Sequence, residues 1–95
     1  MNTEHLAFEE RLRACETQLE TCRGQLKGME YALRLVMAIG GNPNQLAQAW
    51  QLLLPSIVDT HASKESYGFT SALQQKLTEI SVQLEDACRP LPKDP

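Results

Sequence analysis

The feature that most constrains this chain is an apolar repeat near its start, in which the spacing alternates between three and four residues. The a positions of the repeat hold His5, Leu12, Leu19, Leu26 and Leu33, and the d positions hold Phe8, Cys15, Cys22, Met29 and Val36. The repeat lasts for about four and a half heptads, which exceeds the three or four at which such a pattern stops being accidental. It predicts a long helix over 3–39 that carries a coiled-coil seam, the name used below for these ten a and d residues.

The residues of the seam leave the number of associating helices open. Its a positions are mostly Leu rather than β-branched residues, and its d positions include two Cys and one Met, a mixture that fits neither the two-stranded nor the higher-order preference. Arg11 at a g position could pair with Glu16 at an e position of a parallel partner. Such a pair contributes only tenths of a kcal/mol, so it does not decide the orientation.

Two glycines interrupt the long helix away from the seam. Gly24 falls at an f position and Gly28 at a c position, and each costs about 1 kcal/mol relative to Ala in a helix interior. Either a second helix packs closely on this face, or the chain turns there to form a shorter hairpin. We favour a continuous helix, because the heptad passes through both glycines without a change of register.

A break is predicted where the long helix should end. Gly40 suits the left-handed residue that follows a helix, Asn42 suits an N-cap, and Pro43 suits the first turn of a new helix.

Apolar residues at helical spacing predict two further helices after this break. The second is expected over 43–60, kinked or ended at Pro55, and the third over 67–89. A flexible tail is expected over 90–95. The predicted fold is therefore all-α, a single domain over 1–95 in which two shorter helices fold back on a long N-terminal helix as a small bundle.

The lengths of these helices predict where a partner binds. The third helix would be about 30 Å long and the first about 55 Å, so the shorter helices should bury the seam only from Leu33 onward. An exposed apolar stripe of this length normally contacts another protein or a second copy. The expected interface consists of Phe8, Leu12, Cys15, Leu19, Cys22 and Leu26.

Trp50 has two interpretations. We expect it to anchor the core beneath Pro55, but an exposed Trp50 beside Leu53 and Leu54 would instead form a second interface anchor.

Composition excludes several classes of partner. A net charge of −3 offers no basic surface for nucleic acid, and neither a polybasic segment nor a membrane-spanning segment is present in the sequence pattern. Three cysteines, Cys15, Cys22 and Cys88, form no disulfide framework, which fits a reducing, cytoplasmic setting.

No pattern in the sequence predicts a catalytic, cofactor or metal site. A spacing of seven residues does not direct Cys15 and Cys22 to one zinc ion, and His5 and His61 lack neighbours suited to base or nucleophile roles. We therefore predict that the protein is not an enzyme, and we expect Cys15 and Cys22 to act as small hydrophobic residues.

The predicted function is binding. We expect a small acidic protein–protein interaction module, a homo-oligomeric regulator, adaptor or chaperone that acts through coiled-coil and helix-groove contacts. The alternatives are a structural subunit of a larger assembly and, less favoured, a helix-turn-helix DNA-associated regulator. The would-be recognition helix of that last alternative, 44–51, contains no Lys or Arg for phosphate contacts.

Overall fold

The computed structural model describes residues 2–88 and shows three α-helices packed as a small bundle, with no strand among those residues. The helices are α1 (Asn2–Ile39), α2 (Pro43–His61) and α3 (Tyr67–Cys88). The predicted all-α fold, with a long N-terminal helix and two shorter ones, is confirmed. The tail predicted over 90–95 lies outside the described residues.

The turn between α1 and α2 has the structure expected from its residues. Gly40 has a φ of 85°, and its N–H donates to the Val36 carbonyl at 2.8 Å. Asn42 then caps α2, because its Oδ1 accepts from the backbone N–H groups of Asn44 at 3.0 Å and Gln45 at 3.2 Å. These bonds satisfy a carbonyl group at the end of α1 and two N–H groups at the start of α2, which have no partner within their own helices.

Helix α2 continues through Pro55. The proline removes one backbone donor, but Ile57 beyond it is buried in the core, as are Leu46 and Trp50 before it. The apolar face therefore extends past Pro55, and the helix does not end there.

The core lies where all three helices meet. Its buried side chains are Trp50, Ile57, Phe69, Leu73, Leu77 and Ile80. Trp50 is fully buried, and its Nε1 donates to the Ser81 Oγ at 2.9 Å. The expectation that Trp50 anchors the core is confirmed. The alternative that it forms a second interface anchor is contradicted, because that role requires an exposed indole.

Helix α1 runs without a break through its two buried glycines, where α3 packs against it. A Cβ on Gly24 would collide with the carbonyl oxygen of Phe69, and a Cβ on Gly28 would lie 2.8 Å from the Lys76 Cγ. The missing side chains thus allow the close approach of α3. The alternative of a hairpin at the glycines is not what the structure shows.

The glycines also decide which face of α1 the other helices cover. Tyr31, Ala32 and Leu35 pack against the core from the same side of α1. In contrast, Leu33 is 60% exposed and Val36 is 43% exposed. The expectation that the chain's own helices bury the seam from Leu33 onward is wrong, because α3 docks on the glycine face, away from the a and d positions.

Candidate functional site

The seam forms an exposed apolar stripe along α1. Leu12 is 50% exposed, Leu19 64% and Leu26 69%, and the Cys15 and Cys22 thiols are exposed and free. The six residues predicted from sequence as an interface therefore share one open surface, to which the structure adds Met29, Leu33 and Val36.

The N-terminal half of α1 extends beyond the bundle. Between residues 2 and 19, every side chain is exposed except that of Glu9, which has intermediate exposure. The molecule is accordingly elongated, with extents of 69 × 36 × 18 Å. Within residues 2–88, no other part of the chain buries the apolar side chains of this half of the helix.

The residues flanking the seam change character along α1. Near the C-terminal end the e and g positions are apolar: Met37 is 78% exposed, Ile39 is also exposed, and Ala32 is partly buried. Near the N-terminal end they hold the charged residues Glu4, Glu9, Arg11 and Glu16. The sequence prediction considered only the a and d positions and therefore missed this change from charged to apolar neighbours. The residues at the e and g positions of the same heptads would have revealed it.

A polar cluster holds the start of α3 against α1. The Ser66 hydroxyl donates to Glu20 at 2.9 Å, and Arg23 donates to the same carboxylate at 2.8 Å. These bonds, first that from Ser66 and then that from Arg23, lower the pKa of Glu20. The Arg23 guanidinium also lies 5.1 Å from the centroid of the Phe69 ring, within the range of a cation–π contact. The Ser66 Oγ accepts from the Phe69 N–H at 3.2 Å, so Ser66 caps α3.

His61 is a buried polar residue whose ring contacts side chains of its own chain. Its Nε2 lies 2.9 Å from the Tyr31 hydroxyl, its Nδ1 lies 3.9 Å from the Glu65 carboxylate, and its ring contacts Phe69 with centroids 5.5 Å apart. Both ring nitrogens therefore face polar groups of the same chain. The contact between Tyr31 and His61 joins α1 to the end of α2. The sequence pattern did not predict this pairing, because Tyr31 and His61 meet only after the helices dock.

The remaining surface offers an open groove of about 250 Å³ between α2 and α3. It is lined by Leu54, Val58 and Leu77 together with the polar side chains of Gln74, Thr78 and Ser81. Across residues 2–88, no three His, Cys, Asp or Glu side chains are grouped closely enough to hold a metal ion. No helix in the same part of the chain has the length and apolar character needed to cross a membrane.

No protein-family model matches the chain, and no match was found among curated proteins or among solved structures.

Proposed function

We propose that the protein is a small acidic protein–protein interaction module that works as a homodimer, with two copies joined along the seam of α1. As a regulator, adaptor or chaperone it would present its paired helical bundles to another protein. One observation carries the proposal: the seam is exposed along α1, while the chain's own helices pack on a different face.

The size of the exposed surface fits this association. Burying a Val, Leu, Phe or Met side chain completely contributes about 1.5–3 kcal/mol. Seven such residues of the seam are 43–69% exposed in each copy, so burying them on both copies of a dimer would contribute on the order of 12–24 kcal/mol. Association itself costs about 4–15 kcal/mol. Burial of the seam on both copies is therefore as large as or larger than the cost of association, and it can drive the two chains together.

The proposal includes no enzymatic activity, no cofactor and no nucleic-acid or membrane partner. It places the protein in the cytoplasm, where the reducing environment keeps the exposed thiols of Cys15 and Cys22 free.

Sedimentation equilibrium of three proteins tests the proposal. Leu19→Asp places a charge in the middle of the seam, where a second helix would have to bury it. Leu6→Asp is the matched control, since Leu6 lies at a b position of the same helix and is 57% exposed, against 64% for Leu19. We expect the wild type and Leu6→Asp to have about twice the chain mass of 10.6 kDa, and Leu19→Asp to be monomeric with α2 and α3 still folded. A folded wild type that remains monomeric at high micromolar concentration contradicts the homodimer.

A further inference from the structure

The flanks of the seam distinguish the two ways in which two copies of α1 can pair. In a parallel, in-register pair, each g residue meets the e residue five positions later in the second copy. In an antiparallel pair, the residues at e positions of one copy instead meet the e residues of the other, and the g residues meet the g residues. The two orientations therefore bring different side chains of the same helix together.

The apolar flanks favour the parallel pair. In register, the exposed Met37 at an e position meets Ala32 at a g position of the second copy, so an apolar side chain lies against an apolar one, although Ala32 is itself partly buried against its own core. In an antiparallel pair that overlaps over the whole seam, Ile39 at a g position meets Glu4 of the second copy. The antiparallel pair thus places an apolar residue against a carboxylate, which loses apolar burial and desolvates a charge.

The unpaired charges favour the same orientation. Among the described residues, neither Arg11 nor Glu16 takes part in an ion pair, and a parallel dimer joins them across the seam. An antiparallel dimer would join Glu16 to Arg23 instead. Arg23 already donates to Glu20 and lies over Phe69, so this contact would compete with bonds inside the chain.

The repulsive contacts do not separate the orientations. A parallel dimer places Glu4 near Glu9 of the second copy, and an antiparallel dimer places Glu9 near Glu30. Each orientation therefore has one pair of like charges, which the symmetry of the dimer repeats once. Like charges at such positions destabilise by only tenths of a kcal/mol each, so the apolar flanks and the free charges decide.

We infer that the two copies pair in parallel and in register, so that each seam residue faces its own counterpart and both bundles lie at the same end of the dimer. This inference rests on the proposed homodimer and specifies its geometry. Cys15 then faces Cys15 of the second copy, and Cys22 faces Cys22. In an antiparallel dimer of full overlap, Cys15 would face Leu26 and Cys22 would face Leu19.

Cysteine crosslinking tests the orientation in the intact chain. The variant Cys22→Ser/Cys88→Ser keeps only Cys15, and diamide is the oxidant. Two thiols lose two protons and two electrons to form one S–S bond, while the N=N bond of diamide is reduced to the hydrazine. We expect most of the chain to run as a covalent dimer on a non-reducing gel, and we expect Leu19→Asp in the same background to abolish that band.

The matched control keeps only Cys88, in the variant Cys15→Ser/Cys22→Ser. This thiol lies on α3 and contacts the Pro43 carbonyl at 3.3 Å, away from the seam. It should give little covalent dimer under the same conditions. Equal crosslinking of the Cys15 and Cys88 variants would show random collision and would overturn the inference.

A distance measurement supplies an independent readout. A spin label on Leu6→Cys, in a chain whose three native cysteines are replaced by Ser, should report a separation below about 30 Å in a parallel dimer, since paired helix axes lie about 8–10 Å apart. An antiparallel dimer separates the two labels by about 44 Å along the axis. A dimeric protein with only the longer distance overturns the orientation and leaves the homodimer intact, whereas a monomeric protein overturns both.

Discussion

Gly24 and Gly28 have a role at the residue scale that their intrinsic helix preference does not suggest. Glycine in a helix interior costs about 1 kcal/mol relative to Ala, yet both glycines lie inside α1 and are buried. The space that their side chains would take is occupied by α3. Their cost to the helix is therefore offset by the contact that they allow.

The first prediction is that Gly24→Ala destabilises the fold. The added Cβ would meet the backbone carbonyl oxygen of Phe69, which cannot rotate away, so α3 must shift. We expect the free energy of unfolding to fall by about 1–3 kcal/mol, as measured by urea denaturation of the monomeric Leu19→Asp background. Gly28→Ala should cost less, because its obstacle is the flexible Lys76 side chain.

Gly68→Ala is the control for this prediction. It lies in the first turn of α3, where a Cβ would be 3.7 Å from the Glu20 Cβ, an ordinary contact. This substitution should leave stability unchanged or raise it by up to about 1 kcal/mol. If Gly24→Ala is as well tolerated as Gly68→Ala, the close approach of α3 at Gly24 is refuted.

The second prediction concerns the hydrogen bond of the buried indole. Ser81→Ala leaves the Trp50 Nε1 without the acceptor that it has at 2.9 Å, and an unsatisfied buried donor costs about 1–3 kcal/mol. Ser71→Ala makes the same change at an exposed position of α3 and should alter stability by less than about 0.5 kcal/mol. Equal denaturation midpoints for the two variants would show that this bond contributes nothing.

The residue-scale features were only partly predictable from the sequence. Gly24 departs from the helical pattern around it, and Trp50 lies on the apolar face of its helix, so both positions were notable in the sequence. The Tyr31–His61 contact and the bond from Ser66 to Glu20 depend on how docked helices are rotated, which no local pattern encodes. These contacts therefore had to be seen in the structure.

At the scale of elements, α1 consists of two halves with different support. Its C-terminal half packs against α2 and α3, while residues 2–19 project into solvent. Unsupported helices of this length are marginally stable in water. The N-terminal half should therefore depend on association for its helical order.

The third prediction follows from this difference. Amide hydrogen exchange across residues 5–19 should be slow in the concentrated wild type and should accelerate at least tenfold on dilution or in Leu19→Asp. Amides in α3 around Leu73 should remain protected in every sample, since they belong to the core. Identical protection of residues 5–19 in the wild type and Leu19→Asp would mean that the seam does not support this half of the helix.

The fourth prediction is a pH dependence of the contact between α1 and α3. The Ser66 hydroxyl and Arg23 lower the pKa of Glu20 in the folded chain. A lowered folded pKa means that the stability contributed by this carboxylate is present above its unfolded pKa and is lost as the pH falls through the folded value. Ser66→Ala should raise the pKa of Glu20 in an NMR titration.

Glu30 is the internal control for that titration. Its pKa is lowered by Lys27 first and then by Arg34, and both of these side chains bond to Glu30 itself, away from Ser66. Its pKa should not move in Ser66→Ala. If neither carboxyl group shifts in that variant, the hydrogen bond from Ser66 does not hold Glu20 in solution.

The elements were more predictable from the sequence than their docking. Local chemistry at Gly40 and Asn42 located the turn, because a left-handed residue and a side-chain cap act within a few residues. The burial of the seam from Leu33 onward was predicted incorrectly. Helix lengths placed the reach of α2 and α3 at Leu33, but the start of α3 reaches Glu20, and the glycines determined the face on which it docks.

At the scale of the whole molecule, α1 has two distinct contact faces. One carries the glycines and packs against the chain's own helices, and the other carries the seam and remains open. Because the faces differ, pairing through the seams would leave the contacts of α3 at Gly24 and Gly28 in place. The proposed dimer is therefore an elongated coiled coil with a helical bundle attached to each chain.

An isotope-filtered NOE experiment on an equimolar mixture of 13C-labelled and unlabelled wild type tests this central claim most directly. We predict intermolecular NOEs among the methyl groups of Leu12, Leu19 and Leu26, with none between core residues such as Leu73 and Ile80. The absence of intermolecular NOEs at millimolar concentration, or NOEs confined to α2 and α3, would contradict association through the seam.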